Sequence, residues 1–142
     1  MTSTRKATYS SDYANLESIR DLVAQAAREA GMDEAETYHV QLAADEAASN
    51  IIEHAYEGRA DGQFELECEV EGNKVTIVLH DHGKVFDITR VRKPNVKGKL
   101  SEREIGGLGV YLIQKLMDEV YFESSAESGN TLTMVKRGKR GS

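Results

Sequence analysis

The chain has 142 residues, 39% apolar and 30% charged, and carries a net charge of −6. This length supports a single domain with a real core. The acidic balance argues against sequence-independent nucleic-acid binding, which needs a basic face to displace counterions.

The opening MTSTRKATYSSDY has no apolar signal-peptide core, and no run approaches membrane-spanning length, so the expected location is cytoplasmic. Cys68 is the only cysteine. Within one chain, neither a disulfide framework nor a thiolate zinc site can then form, which fits a reducing compartment. Residues 1–9 read as an N-terminal edge segment, with a short strand over Arg5 to Ser10. Ser10 or Ser11 then caps a first helix with Leu16, Ile19, Val23, Ala26, Ala27 and Ala30 on its apolar face. Gly31 is the expected positive-φ residue after it.

Asp33 followed by Glu36 predicts a capping box and a second helix that frays near Gly58. Val40, Ala44, Ala47, Ile51 and Ala55 form its apolar stripe. Beside the stripe, Glu46, Asn50 and His54 recur every four residues. Such a line drifts by roughly 40° per step, so it climbs from the wet face at Glu46 to the border of the core at His54. A carboxylate and a carboxamide one turn apart suit a general base and a metal-binding oxygen. The ordinary reading of such a line is simply a wet helix face.

From Phe64 the period changes to two. Phe64, Leu66, Cys68 and Val70 alternate with glutamates, and Val75, Ile77 and Leu79 continue the pattern after the Glu71-Gly72-Asn73 connection. An antiparallel hairpin over Phe64 to His80 follows. The strand ends in Asp81-His82-Gly83, ordinarily just a turn. His80 and His82 fall on one face and can pair on a metal, but no third ligand is evident. Residues 88 to 105 have no usable periodicity and hold the only proline, Pro94, which marks a lid.

Gly106, Gly107 and Gly109 then open a third helix, with Leu108, Leu112, Ile113 and Leu116 inward. Taken alone, such a glycine run is a hinge or an anion-binding helix start. Strands over Glu119 to Glu123 and Thr131 to Lys136 follow, and residues 137–142 read as a basic, disordered tail. The whole is an α+β two-layer sandwich: three helices on one face of a mixed, mostly antiparallel sheet.

In combination, ADEAASNIIEHAY, DHGKVFD and GGLGVYLIQKLMDEVYF running to SGNTLTMVK resemble the N, G1 and G2 boxes of the GHKL ATPase superfamily. The chain is most similar to its anti-sigma-factor serine/threonine kinases of the RsbW type, from about residue 10 to 136. Val85 stands where the broader superfamily has a second G1 glycine, a departure that fits this subgroup. The resemblance implies a Bergerat-type ATP-binding domain over 10–136. It implies Glu46 as general base and Asn50 as the Mg ligand. It implies Asp81 on the adenine amino group with Gly83 beside it, Gly107, Leu108 and Gly109 at the phosphates, and Thr131 supporting Asp81. His54 is implied on the phosphate side.

With no P-loop lysine, the phosphates would be met by Mg, helix-end amides and lid cations such as Arg90, Arg92 or Lys97. The implied activity is that of an ATP-dependent serine/threonine protein kinase and anti-sigma factor. It phosphorylates a STAS-type anti-anti-sigma protein and sequesters a sigma factor. The implied state is a homodimer with no direct nucleic-acid or membrane binding. The alternative is a nucleotide-binding regulatory module without kinase activity, which would need Asn50 and Asp81 but no base. A sensor-kinase fragment is disfavoured, because no phospho-accepting histidine helix precedes the domain.

Overall fold

A computed structural model of the chain describes residues 2–85 and 105–139, with side chains from 111 onward in the second span. In chain order the elements are β1 (Thr2–Ser10), a 3₁₀ turn (Tyr13–Asn15), α1 (Leu16–Glu29) and α2 (Glu34–Asn50). A π-helical turn (Ile51–Ala55), β2 (Gln63–Glu71) and β3 (Lys74–Asp81) come next. The chain closes with α3 (Ile105–Leu116), β4 (Glu119–Ser125) and β5 (Gly129–Arg137). The strands form one sheet in the order β1-β2-β3-β5-β4, with α1, α2 and α3 gathered over one face.

The hairpin is the backbone of the core, as its alternation requires. Phe64, Leu66, Cys68 and Val70 on β2, with Val75, Ile77 and Leu79 on β3, are all buried on the helix-facing side. Gly72, with φ of +61°, makes the tight reversal between Glu71 and Lys74 possible. The facing helices present mainly alanine: Ala26 and Ala27 on α1, and Ala43, Ala44, Ala47 and Ala48 on α2. Small side chains let these two helices pack closely above the sheet. Val40, Ala44, Ala47, Ile51 and Ala55 are all buried, as the helical spacing predicts.

The start of α2 is the expected capping box. Asp33 accepts from the Glu36 N–H while Glu36 accepts from the Asp33 N–H. Gly31 takes φ of +81° after α1.

Other expectations are corrected. All four strand pairings are antiparallel, so the described sheet is not mixed. β1 runs nine residues along β2, longer than the short strand read from a segment with few apolar residues. Neither Ser10 nor Ser11 caps the first helix. Asp12 caps the 3₁₀ turn through the Ala14 N–H, while the buried Ser11 hydroxyl donates to the Arg59 carbonyl and accepts from the Gly62 N–H. Residues 137–139 are not a loose tail. Arg137 ends β5, the Gly138 N–H donates to the Asn73 carbonyl at 2.8 Å, and the Lys139 N–H donates to Glu36 Oε2 at 2.7 Å. The lid over 88 to 105, with Arg90, Arg92 and Lys97, lies outside the described residues apart from Ile105.

Candidate nucleotide site

The site forms where α2 runs out above the ends of β3 and β5. After Asn50 the helix widens into the π turn, with the Tyr56 N–H donating to the Ile51 carbonyl. This ends the four-residue spacing. Glu46 and Asn50 are one α turn apart, but His54 sits half-buried in the widened turn rather than on a straight continuation of their line. Single π turns within α-helices are frequent at functional sites.

The widened turn also fixes the strand end. The Lys84 N–H donates to the Ala55 carbonyl at 2.7 Å, and a Cβ on Gly83 would lie 2.5 Å from that same carbonyl oxygen. Gly83 is therefore required by the close approach of the chain's own backbone.

Asp81, the last residue of β3, is buried. Its Oδ1 accepts from the Gly83 N–H at 2.9 Å and from Asn130 Nδ2 at 2.9 Å. Its Oδ2 is buried and, among the described residues, has no hydrogen-bond partner. Burial pushes the carboxyl up from its ordinary range, and the Asn130 amide, the Gly83 N–H, His80 and His82 pull against that shift. Asn50 is also buried, and its Nδ2 finds no partner among the described residues. The two groups open onto one narrow cavity of about 10 Å³, lined also by Ala47, Ile51, Leu79, Phe122, Asn130 and Leu132. At that size the cavity has room for about one water molecule, so what this end of the sheet offers a ligand is the Asp81 acceptor and the Asn50 side chain rather than a ready-made pocket.

Glu46 lies half-buried one turn before Asn50, outside that cavity. Its carboxyl is held above its usual range, first by burial, then by the charges of Asp45 and Glu53. Arg20 pairs with Asp45 at 2.6 Å, and the Tyr13 hydroxyl donates to Glu53 at 2.8 Å. Of these neighbours of Glu46, Arg20, Tyr13 and Glu53 were not singled out from the sequence.

Thr131 is corrected. Asp81 pairs across the sheet with Asn130, and His80 with Thr131. Thr131 therefore faces the side away from the helices, where its hydroxyl meets His80 Nδ1 at 2.7 Å. Asn130 is the residue that supports Asp81. The glycines are also placed differently: Gly106, Gly107 and Gly109 fall within α3, whose first residue is Ile105, rather than in a turn before it. The side chain of Leu108 lies outside the described residues. Ile113 and Met117 are buried, with Leu112 and Leu116 half-buried. His80 and His82 approach each other at 3.2 Å through their Nε2 atoms, and among the described residues no group of three or more His, Cys, Asp or Glu side chains is placed to hold a metal.

The family model for the histidine kinase-like ATPase domain matches residues 9–136. The chain belongs to this family. It is 35% identical over 99 residues to an anti-sigma F factor of Clostridium botulinum, covering 69% of this chain and 68% of that one. It is 34% identical over 103 residues to a serine-protein kinase RsbW of Bacillus pumilus, covering 68% of this chain and 62% of that one. A crystal structure of the RsbU and RsbW domains of a Mycobacterium tuberculosis protein matches the fold with a TM-score of 0.69 at 18% identity. The match covers 99% of this chain and 33% of that longer one. The RsbW-type resemblance read from the boxes is borne out by these matches. Among the described residues no helix is long and apolar enough to cross a membrane.

Proposed function

We propose that this chain is a Mg-ATP-dependent serine/threonine protein kinase and anti-sigma factor. It would phosphorylate a STAS-type anti-anti-sigma protein and, in alternation, sequester a sigma factor, acting as a cytoplasmic homodimer without binding nucleic acid. Membership of the ATPase family supports nucleotide use, and the names of the relatives support the regulatory role. The observation that carries the reading is the buried Asp81 Oδ2, without a partner among the described residues, at the end of a slot onto which Asn50 also opens. A buried carboxylate oxygen left without a donor is costly, and the 6-amino group of adenine is a donor of the right kind.

The residues fit the group. Asp81 accepts from the base, Leu79, Ile51 and Leu132 supply apolar walls, and Asn50 offers a side-chain oxygen to a hard cation that prefers oxygen ligands. Magnesium held there would supply positive charge against the phosphates. Glu46 takes the proton from the attacking hydroxyl as its oxygen bonds to the γ-phosphorus and the bond to the leaving ADP breaks.

Calorimetry of Mg-ATP binding tests the site. Asn50→Ala is expected to weaken binding by roughly 10- to 100-fold, the loss typical of a damaged metal shell, with the chain still folded. Unchanged affinity would remove Asn50 from the site.

The base has a pH signature. Transfer requires ionised Glu46, so the rate rises with pH through a value above the ordinary glutamate range. Asp45→Asn removes a like charge and frees Arg20, so the acid limb is expected to move to lower pH. A limb that stays in place would exclude Asp45 as a determinant.

A further inference from the structure

The sheet face away from the helices carries a group of side chains that the nucleotide reading does not use. In one row across three strands stand Glu65 on β2, His80 on β3 and Thr131 on β5. His82, just past the end of β3, returns to the same face, and its Nε2 lies 3.2 Å from the Nε2 of His80. The two rings stand nearly perpendicular, at 87°. Two neutral imidazoles cannot hold bare nitrogens that close, because their lone pairs repel. A proton or a metal cation has to lie between them. Zinc bound tetrahedrally at about 2.0–2.1 Å from each nitrogen sets such a pair roughly 3.3 Å apart, close to the spacing found.

We propose that His80 and His82 chelate one zinc ion through their Nε2 atoms, with Glu65 as third ligand and water completing the shell. The site lies across the sheet from the Asn50–Asp81 cavity and does not rest on the nucleotide reading.

Both rings are held from behind. His80 Nδ1 meets the Thr131 hydroxyl at 2.7 Å. With Nδ1–H donating there, Nε2 is the bare nitrogen, the state that a metal requires. The Nδ1 of His82 packs over Gly129, where an added Cβ would come within 3.1 Å, which leaves Nε2 to face His80. Glu65 borders the same groove of about 130 Å³ as both histidines and is exposed. The three side chains are not gathered on one point in the described structure. Directly opposed strand residues have Cβ atoms about 5 Å apart, so a change of rotamer carries the Glu65 carboxylate to the pair. Imidazole ligands favour zinc over magnesium, so this site and an oxygen-lined magnesium site would not compete for one ion.

The experiment is calorimetric titration of zinc chloride into the nucleotide-free protein, with magnesium chloride as the control metal. Wild type is compared with His80→Ala, His82→Ala, Glu65→Gln and Thr131→Val, and thermal melts confirm each fold. Wild type is expected to take up one zinc per chain that excess magnesium does not displace. Thr131→Val should weaken zinc by roughly tenfold, the cost of a lost supporting hydrogen bond, while loss of either imidazole should cost more. Thr131 is a positioning residue, so its variant should lower zinc affinity with Tm in the absence of metal little changed. Glu65→Gln should also weaken binding; unchanged affinity would overturn its place as third ligand. Should His80→Ala fail to fold, the exposed His82→Ala decides alone. A wild type that takes up no zinc overturns the proposal and leaves the two rings sharing a proton. Zinc uptake that survives in folded His82→Ala puts the ion elsewhere and overturns it as well.

Discussion

Glu46→Gln is expected to slow phosphoryl transfer by roughly 10²- to 10⁴-fold, the range supplied by a positioned general base. Mg-ATP affinity should stay within about twofold, because the lost interaction belongs to the transition state. The amide keeps the shape of the carboxylate and cannot take the hydroxyl proton. Glu46 sits a turn away from the cavity shared by Asn50 and Asp81, so the proposed nucleotide binding and the proposed base function are separable.

Stability should move the other way. The folded state holds the Glu46 carboxyl above its ordinary value, so the residue favours folding below the unfolded-state pKa and loses that contribution as pH rises through the folded one. At neutral pH the neutral amide should therefore melt no lower than wild type. Transfer of labelled γ-phosphate to a STAS-type substrate, measured beside calorimetry, checks both halves. A transfer rate within a few fold of wild type would remove Glu46 as the base.

The second large effect is expected at Gly129, where β5 begins. Its φ is +82°, and an added Cβ would press into the carbonyl oxygen of Asp81. Left-handed backbone costs an L residue about 1–2 kcal/mol, and overpacking against rigid backbone adds about 1–3 kcal/mol. Gly129→Ala is then expected to lower Tm by roughly 10 °C, at a few degrees per kcal/mol for a domain of this size. Relief of the clash parts the β3 and β5 ends and separates Asn130 from Asp81, so ATP affinity should fall as well. Melting curves with and without Mg-ATP measure both. A Tm within about 2 °C of wild type would show that the strand ends yield easily.

The parts of the fold readable from sequence are those with strong local signals. The strict alternation from Phe64 to Leu79 has one consistent solution, and Asp33 with Glu36 states its own hydrogen bonds. β1 was harder, because Thr, Ser, Arg and Lys dominate it and only Ala7 and Tyr9 mark an inner face. The π turn leaves no trace in IIEHA, whose residues read equally well as α-helix.

The choice between Asn130 and Thr131 depends on which residue of β5 stands opposite Asp81. One residue of register exchanges the two faces of a strand, and nothing local in SGNTLTMVK fixes it. The pairing of Asp45 with Arg20 was invisible for a similar reason. It joins residues 25 positions apart and is set by tertiary packing rather than by motif.

The sheet order has a consequence for synthesis. β5 is the last strand of this sheet to be made, yet it lies between β3 and β4 rather than at an edge. While a ribosome is still translating the domain, β3 has one neighbour, β2, and Asp81 lacks the Asn130 that orients it. Folding units form in the order their contacts become available, and long-range strand pairing comes late. The nascent chain therefore cannot complete the surroundings of Asp81 until about residue 137 has emerged. A product truncated before β5 would expose the central edge of the sheet, an invitation to aggregation or proteolysis.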